Sequence, residues 1–509
     1  MAQLSINNLT FSYEDSFDTV FDNVNFSVDT SWKLGLIGRN GKGKTTLLNL
    51  LMDKYEYTGS IVSSTVFDYF PYTVNEGDLD KTGMELVEEW KPNVESWQIL
   101  VQMSEIDMDS ECLYRPFKTL SYGERTRVML AVLFSGENEF LLIDEPSNHL
   151  DYEARECVKA FLAKKKGFIL VSHDRDLLDA VVDHVLVLNR STIEVQAGNF
   201  SSWWENKEKS DAFAFAENAK HQKEISKLKA TAEQSNRWAT KNENTKIGFD
   251  PVKEHDRNIS TRAYIGAKTK KMQARVKSYE KRIDREIEEK EGLLNDIEKV
   301  IDLKLNPLSY HKEVLMNADS LALGYDGGEP LFKGVRFQVN RGSRVVLSGR
   351  NGSGKSSIIK LILDKAEYPF DAGKLPDILD GELNVGSGLK ISYINQDTSH
   401  LKGKLKDYCK DNDLDESIFL AILRQLDMGK EQFDKDISDY SEGQKKKVLI
   451  AASLLTPAHL YIWDEPLNYI DVFSRMQIEK LILQYQPTML LVEHDVAFRK
   501  RIATEVIEL

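Results

Sequence analysis

The chain has 509 residues, 41% of them hydrophobic and 29% charged, with a formal net charge of −14, which predicts a globular protein of two to four domains. Because the sequence shows neither a charged-then-apolar leader at Met1 nor an uncharged apolar run near ~18 residues, we expect a cytoplasmic protein rather than a secreted or membrane-spanning one. Three widely spaced cysteines (Cys112, Cys157 and Cys409) predict reduced packing residues and disfavour a metal cluster or a disulfide framework.

Residues 1–204 are predicted to form a first nucleotide-handling domain. It opens with short strands at Leu4–Leu9 and Phe21–Val28, followed by a buried strand at Leu34–Gly38. That strand runs into the glycine loop GRNGKGKTT and then into an apolar helix at Thr45–Met52. The succession of strand, glycine loop and helix is the context that makes a phosphate site credible.

Three shorter segments follow the loop in this domain. LSYGE spans Leu120–Glu124, LLIDEP spans Leu141–Pro146, and SHD spans Ser172–Asp174 after an apolar run. The order of phosphate loop, short signature, acidic strand and lone histidine predicts a site for a nucleotide.

Residues 205–305 are predicted to form two long helices packed as an antiparallel hairpin, with arms of roughly 35 residues around a polar loop. Residues 221–285 carry 17 Lys/Arg against 8 Asp/Glu, so a basic projection on an acidic body can approach an anionic polymer. Apolar residues at spacings near three and four mark the two arms: Phe215, Ala219, Ile225, Leu228, Ala232 and Ala239 on the first, and Met272, Val276, Tyr279, Ile283, Ile287, Leu294, Ile297 and Ile301 on the second.

Residues 306–509 repeat the motifs of the first domain in the same order. Matched positions lie 311 to 321 residues apart, which indicates a duplicated domain. The repeated segments are a strand at Val335–Val339, a buried strand at Val345–Gly349, the loop GRNGSGKSS, an apolar helix at Ser356–Leu363, and then YSEGQ (Tyr440–Gln444), YIWDEP (Tyr461–Pro466) and EHD (Glu493–Asp495).

Each glycine loop is predicted to bind the phosphates of ATP, because glycines let backbone N–H groups crowd round phosphate oxygens. Lys44 and Lys355 are placed to reach the β- and γ-phosphates, and Thr45 and Ser356 to give Mg²⁺ a hydroxyl ligand. The ATP-binding candidates in the loops are Gly38, Arg39, Asn40, Gly41, Lys42, Gly43, Lys44, Thr45 and Thr46 (site one) and Gly349, Arg350, Asn351, Gly352, Ser353, Gly354, Lys355, Ser356 and Ser357 (site two).

The acidic strands supply the predicted catalytic carboxylates. Asp144 and Asp464 end these strands and are predicted to bind the metal. The adjacent Glu145 and Glu465 are placed to polarise an attacking water as general bases. His173 and His494 each end an apolar strand; a lone histidine there is usually structural, but its repetition at a matching position favours a γ-phosphate contact.

Together with the loops and the DEP strands, LSYGE and YSEGQ resemble the signatures of ATP-binding cassette (ABC) domains. The resemblance implies an α/β fold class with two P-loop ABC-type nucleotide-binding domains joined by a long antiparallel α-helical hairpin linker. It also implies that ATP lies between one phosphate loop and the opposite signature, so that Ser441 and Gly443 serve site one and Ser121 and Gly123 serve site two. Tyr13 and Tyr325 match the adenine-stacking aromatic of the family, although each also suits the packing of a strand.

The two copies depart from each other at a loop where the family places a glutamine that touches Mg²⁺. The second copy has Gln396 in SYINQD, whereas the first has Tyr72 in DYFPY. A phenol is a poorer Mg²⁺ ligand than an amide oxygen. The signatures differ too, with Tyr122 and Glu442 at their first internal glycine. We therefore predict unequal sites, with site two better fitted for coupling.

Three classes of ABC protein compete. A transporter subunit needs membrane spans in the same chain or in a partner, and a DNA-maintenance ATPase would carry much longer coiled coils or zinc fingers. The chain instead resembles the ABC-F type across essentially its full length, including DEPSNHLD at 144–151, although DEPLNYID at 464–471 departs from that pattern. Within this type, GLIGRNGKGKTTLL, VFDYFPY and GFDP are similar to the Lsa-type resistance factors.

That resemblance implies a monomeric ATPase, without a membrane subunit, that binds the bacterial 70S ribosome at the E site in its ATP-closed form. It would contact 23S rRNA and P-site tRNA and dislodge lincosamides, pleuromutilins and streptogramin A compounds from the peptidyl-transferase centre. The alternatives are a housekeeping ABC-F translation factor acting on stalled ribosomes and the ATPase subunit of an exporter. The candidate RNA contacts are Lys241, Lys246, Phe249, Lys253 and Arg257, although about half of the basic residues suit a solvated helix face and Phe249 suits a hairpin cap.

Overall fold

The computed structural model describes residues 3–13, 19–136, 139–148, 150–188, 193–244, 282, 305, 307–326, 328–370 and 373–509. The chain divides into one unit made of Met1–Trp203 and Ile301–Leu509, and another made of Trp204–Val300. None of the helices in the described ranges combines the length and apolar character needed to cross a membrane.

The first domain alternates strands and helices after an antiparallel start. Its strands are β1 (Gln3–Ser12), β2 (Thr19–Asp29), β3 (Lys33–Gly38), β4 (Thr58–Val62), β5 (Val66–Phe70), β6 (Glu139–Asp144), β7 (Phe168–Val171), β8 (His184–Leu188) and β9 (Ile193–Ala197). Its helices are α1 (Lys44–Leu51), α2 (Gly83–Trp90), α3 (Ser96–Glu105), α4 (Tyr122–Leu133), α5 (Tyr152–Lys164) and α6 (Arg175–Val181). The long helix α7 (Phe200–Asn244) follows.

The second domain repeats this order of elements. Its strands are β10 (Val314–Gly324), β11 (Phe332–Asn340), β12 (Arg344–Ser348), β13 (Asp377–Val385), β14 (Ile391–Ile394), β15 (Leu460–Asp464), β16 (Met489–Val492) and β17 (Glu505–Glu508). Its helices are α8 (Lys355–Lys365), α9 (Leu405–Asp411), α10 (Glu416–Gln425), α11 (Glu442–Leu455), α12 (Val472–Tyr485) and α13 (Val496–Ile502).

Each domain contains a parallel sheet and a small antiparallel sheet. The larger sheets have the orders β5-β6-β7-β3-β8-β9 and β14-β15-β16-β12-β17, with only β9 antiparallel to its neighbour. The small sheets have the orders β2-β1-β4 and β11-β10-β13. The central parallel strands are apolar on both faces because helices or the small sheet cover them.

The strand register explains why the motifs meet. Asp144 pairs with Val171 across β6 and β7, and Leu36 of β3 pairs with the same Val171. The phosphate loop, the acidic residues and the histidine therefore leave the sheet at the carboxyl ends of three neighbouring strands, where ligands of open α/β sheets bind. Asp464, Val492 and Leu347 repeat this register in the second domain.

The predicted elements differ from the observed ones mainly in their bounds. The opening strands are longer than predicted, because β1 and β2 pair along 10 and 11 residues and a third strand, β4, extends their sheet. The helices after both loops begin one residue earlier than predicted, at the loop lysines.

The first predicted arm of the linker lies within α7, a continuous helix of 45 residues. Of its predicted apolar stripe, Ile225 is buried and Ala219 is exposed. The second predicted arm lies outside the described residues, apart from Arg282, which is helical. The hairpin remains a prediction.

Candidate functional site

Both phosphate loops end in a glycine that no other residue replaces without strain. Gly43 and Gly354 cap α1 and α8 at φ of 90° and 99°, in the left-handed region. A Cβ at Gly43 would lie 2.7 Å from Val20, and one at Gly354 would lie 2.9 Å from Phe332. The packing of the small antiparallel sheet thus reaches the loop and holds it against the helix.

The two loop lysines fold back over the loop backbone. Lys44 Nζ donates to the carbonyl oxygens of Gly38 at 2.8 Å and Arg39 at 3.2 Å. Lys355 Nζ donates to Gly349 at 2.9 Å and to the carbonyl of the next residue at 2.8 Å. Burial lowers the pKa of both ammonium groups. Each lysine is held over the loop, where a phosphate would give it an anionic partner.

The predicted metal ligands lie together in both sites. Thr45 Oγ1 donates to Asp144 Oδ2 at 3.0 Å, and Ser356 Oγ donates to Asp464 Oδ2 at the same distance. The other oxygen of Asp464, Oδ1, is buried and accepts no hydrogen bond from the described residues. A buried carboxylate oxygen beside a hydroxyl fits the oxygen ligands that Mg²⁺ prefers.

The glutamate after each acidic strand faces the histidine. His173 Nε2 lies 3.3 Å from Glu145 Oε1, and His494 Nε2 lies 3.3 Å from Glu465 Oε1. Both glutamates adopt left-handed backbone conformations, at φ of 51° and 48°. Such conformations are uncommon outside glycine and cluster at functional sites.

The hydrogen bonding of the two glutamates is unequal. Glu465 Oε2 accepts from Gln396 Nε2 and Asn468 Nδ2, both at 2.8 Å. Glu145 Oε2 accepts only the backbone N–H of His173, at 3.3 Å, from the described residues. The carboxylate of site two is therefore oriented by two side-chain amides, whereas Asn148, the counterpart of Asn468, makes no such bond to Glu145 within the described residues.

The electrostatics follow this difference. Burial, aided by the charge of Asp144, raises the pKa of Glu145 to about 8. Burial acts in the same direction on Glu465, but the neighbouring His494 imidazole, the charge of Lys355 and a hydrogen bond from Asn468 hold its pKa below the usual value. The environment of Glu465 therefore favours the ionised form that can act as a base, whereas burial of Glu145 favours its protonated form.

Tyr72 follows β5 at the position where Gln396 follows β14, but its hydroxyl bonds to Asp68 rather than to Glu145, which differs from the simple substitution expected from the sequence. Its hydroxyl donates to Asp68 Oδ2 at 2.6 Å, and its ring stacks on Trp90 with centroids 4.7 Å apart. Tyr69 approaches the metal ligands instead, since its hydroxyl donates to Asp144 Oδ2 at 3.2 Å. Alternation along β5 turns Tyr69 to the opposite face from Asp68.

The two predicted adenine-stacking tyrosines lie beside the loops. Tyr13 and Thr46 share a hydrogen bond of 2.7 Å, and Tyr325 and Ser357 share one of 2.9 Å. Tyr13 also packs edge-on against Phe11 and Tyr55, so the strand-packing role is present in site one.

Tyr325 opens onto a cavity of about 410 Å³ at site two. Two residues of the first domain, Leu150 and Arg155, contribute to its wall, so residues of both domains line it. The other lining residues are Leu331, Asn351, Gly352, Gly354, Lys355, Ser356, Ser357, Gln396, Glu465, Asn468 and His494.

The signature residues are not brought into this cavity. Among the residues that the structure describes, neither Ser121 nor Gly123 lines the cavity. Ser121 and Ser441 instead cap their own helices, α4 and α11, each in a capping box with the residue three positions later. Gly443 approaches the carbonyl oxygen of Tyr469, which lies 2.6 Å from where its Cβ would be.

The loops themselves contact the opposite domain. In site one, Asn40 Nδ2 donates to the carbonyl of Tyr469 at 2.9 Å, and Arg39 pairs with Asp427 at 3.4 Å. In site two, Arg350 pairs with Glu153 at 2.6 Å through side chains that are both exposed. Each loop therefore contacts the other domain. The remaining predicted loop residues (Gly41, Lys42, Gly352 and Ser353) lie in the turns between strand and helix.

The contacts described above involve none of the residues that are predicted to contact RNA. Lys241 lies in the helical backbone of α7, and Lys246, Phe249, Lys253 and Arg257 lie outside the described residues.

Three functional contributions were missed from the sequence: Tyr69 at Asp144, Asn468 at Glu465, and the cross-domain contact of Tyr469. Asn468 has a counterpart in the first copy, Asn148, so no difference between the copies marks its bond to Glu465, and Tyr469 contributes a backbone carbonyl that its residue type does not reveal.

Comparison with known proteins gives a consistent result. A family model described as "ABC transporter" matches residues 21–148 and 332–468. The chain is 27% identical to the ribosome protection protein VmlR of Bacillus subtilis, over 96% of this chain and 84% of that protein. It is 25% identical to ABC transporter F family member 2 of Arabidopsis thaliana, over 99% of this chain and 76% of that protein.

Among solved structures, the fold is similar to that of an archaeal ribosome recycling factor, aABCE1, crystallised with the ribosomal stalk protein aP1. The TM-score is 0.60 at 17% identity, over 98% of this chain and 87% of the other.

Proposed function

Because the chain belongs to the ABC family and carries its ATP-hydrolysing domain twice, we propose that it is an ABC-F ATPase that protects bacterial ribosomes from antibiotics. The observation that carries this proposal is the extent of its similarity to VmlR, which covers 96% of the chain and hence the linker as well as both ATP domains. The similarity to a plant F family member extends over 99% of the chain and supports the same architecture. We divide the chain accordingly into ATP domains at 1–204 and 306–509 and a linker at 205–305.

In this proposal each site binds ATP between its phosphate loop and the opposite domain. The loop amides and Lys44 or Lys355 hold the phosphates, and Thr45 with Asp144, or Ser356 with Asp464, would hold Mg²⁺. Gln396 would join the ligands of site two. The ion would neutralise charge on the phosphates.

Hydrolysis requires a base beside the γ-phosphate, and the two glutamates are unequal in that role. Glu465 is ionised and held by two amides, so it can accept a proton from water at neutral pH. Glu145 accepts no side-chain amide bond within the described residues and has a raised pKa. Site two is therefore the faster site, with His494 positioned to contact the γ-phosphate and orient the carboxylate. His173 has the same place in site one.

ATP binding would draw Ser441 and Gly443 toward site one and Ser121 and Gly123 toward site two. The closed protein would then enter the ribosomal E site and present its linker to P-site tRNA and 23S rRNA. Basic residues of the linker, with Lys241, Lys246, Lys253, Arg257 and the aromatic Phe249 as candidates, would contact RNA. The drug would leave the peptidyl-transferase centre, and hydrolysis would reopen the domains.

The first test is a resistance phenotype. Expression in a susceptible bacterium is expected to raise the inhibitory concentrations of lincomycin and tiamulin, and the Glu465→Gln variant is expected not to. Unchanged inhibitory concentrations with the wild-type protein, at matched expression, would contradict the proposal. A protein that binds ribosomes without a drug phenotype would be a housekeeping translation factor instead.

The second test is nucleotide-dependent binding to 70S ribosomes. Sedimentation with ribosomes is expected for Glu465→Gln in ATP, and not for the same protein in ADP or without nucleotide. Equal binding in all three conditions would refute the role of domain closure. A fall in intracellular drug with no ribosome binding would point to an exporter subunit.

A further inference from the structure

A buried arginine contacts the segments around both site histidines, His173 in the first domain and His494 in the second. Arg475 lies on α12 and donates from Nη1 to the backbone carbonyl of His173, at 3.0 Å. The same nitrogen donates to Asp495 Oδ2, also at 3.0 Å. His173 belongs to site one, and Asp495 directly follows His494 of site two.

The remaining donors of this guanidinium fix its position within the second domain. Nε donates to the carbonyl of Ile470 at 2.9 Å, and Nη2 donates to that of Leu467 at 3.0 Å. Both carbonyls lie in the segment that also supplies Tyr469 to the loop of site one. Because Nε, Nη1 and Nη2 of this planar, buried guanidinium all donate hydrogen bonds, the side chain moves only together with its acceptors.

The matching arginine of the first domain lacks the connection. Arg155, 320 positions earlier in the sequence, donates to the carbonyl of Leu150 at 2.9 Å and to Asp174 Oδ2 at 3.3 Å. These bonds repeat those that Arg475 makes to Ile470 and Asp495. Within the described part of the chain Arg155 donates nothing to the second domain, and it borders the open cavity of site two.

We propose that Arg475 is a positioning residue that couples the two ATP sites. A change at His494 on binding a γ-phosphate in site two moves the adjoining Asp495, and Arg475 transmits the movement to the backbone of His173. His173 in turn orients Glu145, so occupancy of site two sets the turnover of site one. Within the protein, each step of this connection is a direct contact or a neighbouring peptide, and whether it carries coupling is decided by measuring one site while the occupancy of the other is changed. The inference rests on the two ATP sites proposed above and not on the ribosome.

The test compares two backgrounds in which only site one hydrolyses ATP. Glu465→Gln leaves site two able to bind ATP without hydrolysing it, and Lys355→Ala leaves site two empty. Phosphate release by the full-length protein at saturating ATP is expected to differ at least about fivefold between these backgrounds, a typical size for coupling between sites. Adding Arg475→Lys is expected to bring the ratio to about 1, since an ammonium keeps the charge beside Asp495 but not the fork that spans both acceptors.

Arg344→Lys is the control. The Arg344 guanidinium donates to the carbonyls of Ile502 at 2.7 Å and Gly342 at 3.0 Å, both within the second domain and away from the cavity. The substitution therefore breaks no bond between domains, and the ratio is expected to stay at its original value. A ratio that Arg475→Lys leaves unchanged, or a ratio near 1 before Arg475 is altered, overturns the proposal. If Glu145→Gln combined with Glu465→Gln still hydrolyses ATP at the parent rate, the ATP-site assignment fails instead.

A second measurement covers the case in which Arg475→Lys does not fold. In the Lys44→Ala variant ATP binds only at site two, so hydrogen–deuterium exchange of the amides around His173 reports on the connection directly. Added ATP is expected to slow this exchange. No change in exchange, with site two shown to be filled, overturns the proposal without any substitution at Arg475.

Discussion

Glu479 joins the two domains through a second buried contact, and its loss has a size that the structure allows us to estimate. The carboxylate is 1% exposed. It accepts a hydrogen bond from Arg175 Nη2 of the first domain at 2.6 Å and forms an ion pair with Arg501 Nη1 of its own domain at 2.7 Å. We predict that Glu479→Gln lowers the free energy of unfolding by roughly 3–5 kcal/mol, the usual cost of removing one partner of a buried ion pair.

The two arginines contribute unequally to that cost. Arg175 has a side chain that is 6% exposed, so its charge cannot recover hydration when the carboxylate is lost. Arg501 is 58% exposed, and its bond adds no more than about 1 kcal/mol. The expected loss corresponds to a fall in Tm of roughly 5 °C, because a large cooperative unit has a large unfolding entropy.

Differential scanning fluorimetry of matched variants measures this effect. Lys159 occupies the equivalent position in the first domain and pairs with Glu156 and Asp176 at a partly exposed surface, so Lys159→Gln is expected to cost less than about 1 kcal/mol. Arg175→Met combined with Glu479→Met is expected to recover much of the loss, since no charge is then left buried without its partner. Equal Tm values for Glu479→Gln and Lys159→Gln, or strictly additive losses in the double variant, would refute the reasoning.

Three predictions concern turnover. Glu465→Gln is expected to lower phosphate release at site two at least about 100-fold, the scale of general-base catalysis, and so to remove most of the total ATPase activity. Glu145→Gln is expected to leave most of that activity. Equal losses in the two variants would contradict the inequality of the sites. The Glu465→Gln variant reports ATP turnover at site one, which is expected to rise as pH increases through about 8, because a base with a raised pKa acts only once deprotonated. The Glu145→Gln variant reports turnover at site two and is expected to show no such rise. Parallel pH profiles of the two variants would contradict this prediction. Gln396→Ala is expected to reduce the rate of ATP hydrolysis roughly tenfold, because it removes a hydrogen bond that orients Glu465. Tyr72→Phe is expected to leave that rate intact and to lower the free energy of unfolding by about 1 kcal/mol, because the bond to Asp68 is lost. A lower rate in both variants would show that Tyr72 contributes to hydrolysis at site one.

The sequence predicts the parts of the sites that lie within short segments. The glycine loops, Asp144 and Glu145 and their second copies are recognisable because one strand and its following turn place them together. The inequality of the sites also follows from a local difference, Gln396 against DYFPY. Confirmation of the two ABC domains rests on these same segments.

What could not be predicted depends on contacts between distant segments or on the face of a strand. Tyr69 and Tyr72 lie three residues apart, and only the pairing of β5 with β6 decides which of them meets Asp144. Arg475 and His173 are 302 positions apart, and Arg175 and Glu479 are 304 apart. Hydrophobic periodicity carries no information on such pairs, because charged residues at this distance are matched only when two folded surfaces meet.

The pair between Arg350 and Glu153 gives the two sites different sensitivities to the surrounding medium. Its side chains are 73% and 58% exposed, whereas Arg475 and Glu479 hold the opposite half of the interface from positions shielded from solvent. Dissolved ions screen exposed charges over about 10 Å at 0.1 M and about 3 Å at 1 M, but act weakly on buried ones. Rising ionic strength is therefore expected to weaken the contact between Arg350 and Glu153 at site two more than the buried contacts of Arg475 and Glu479.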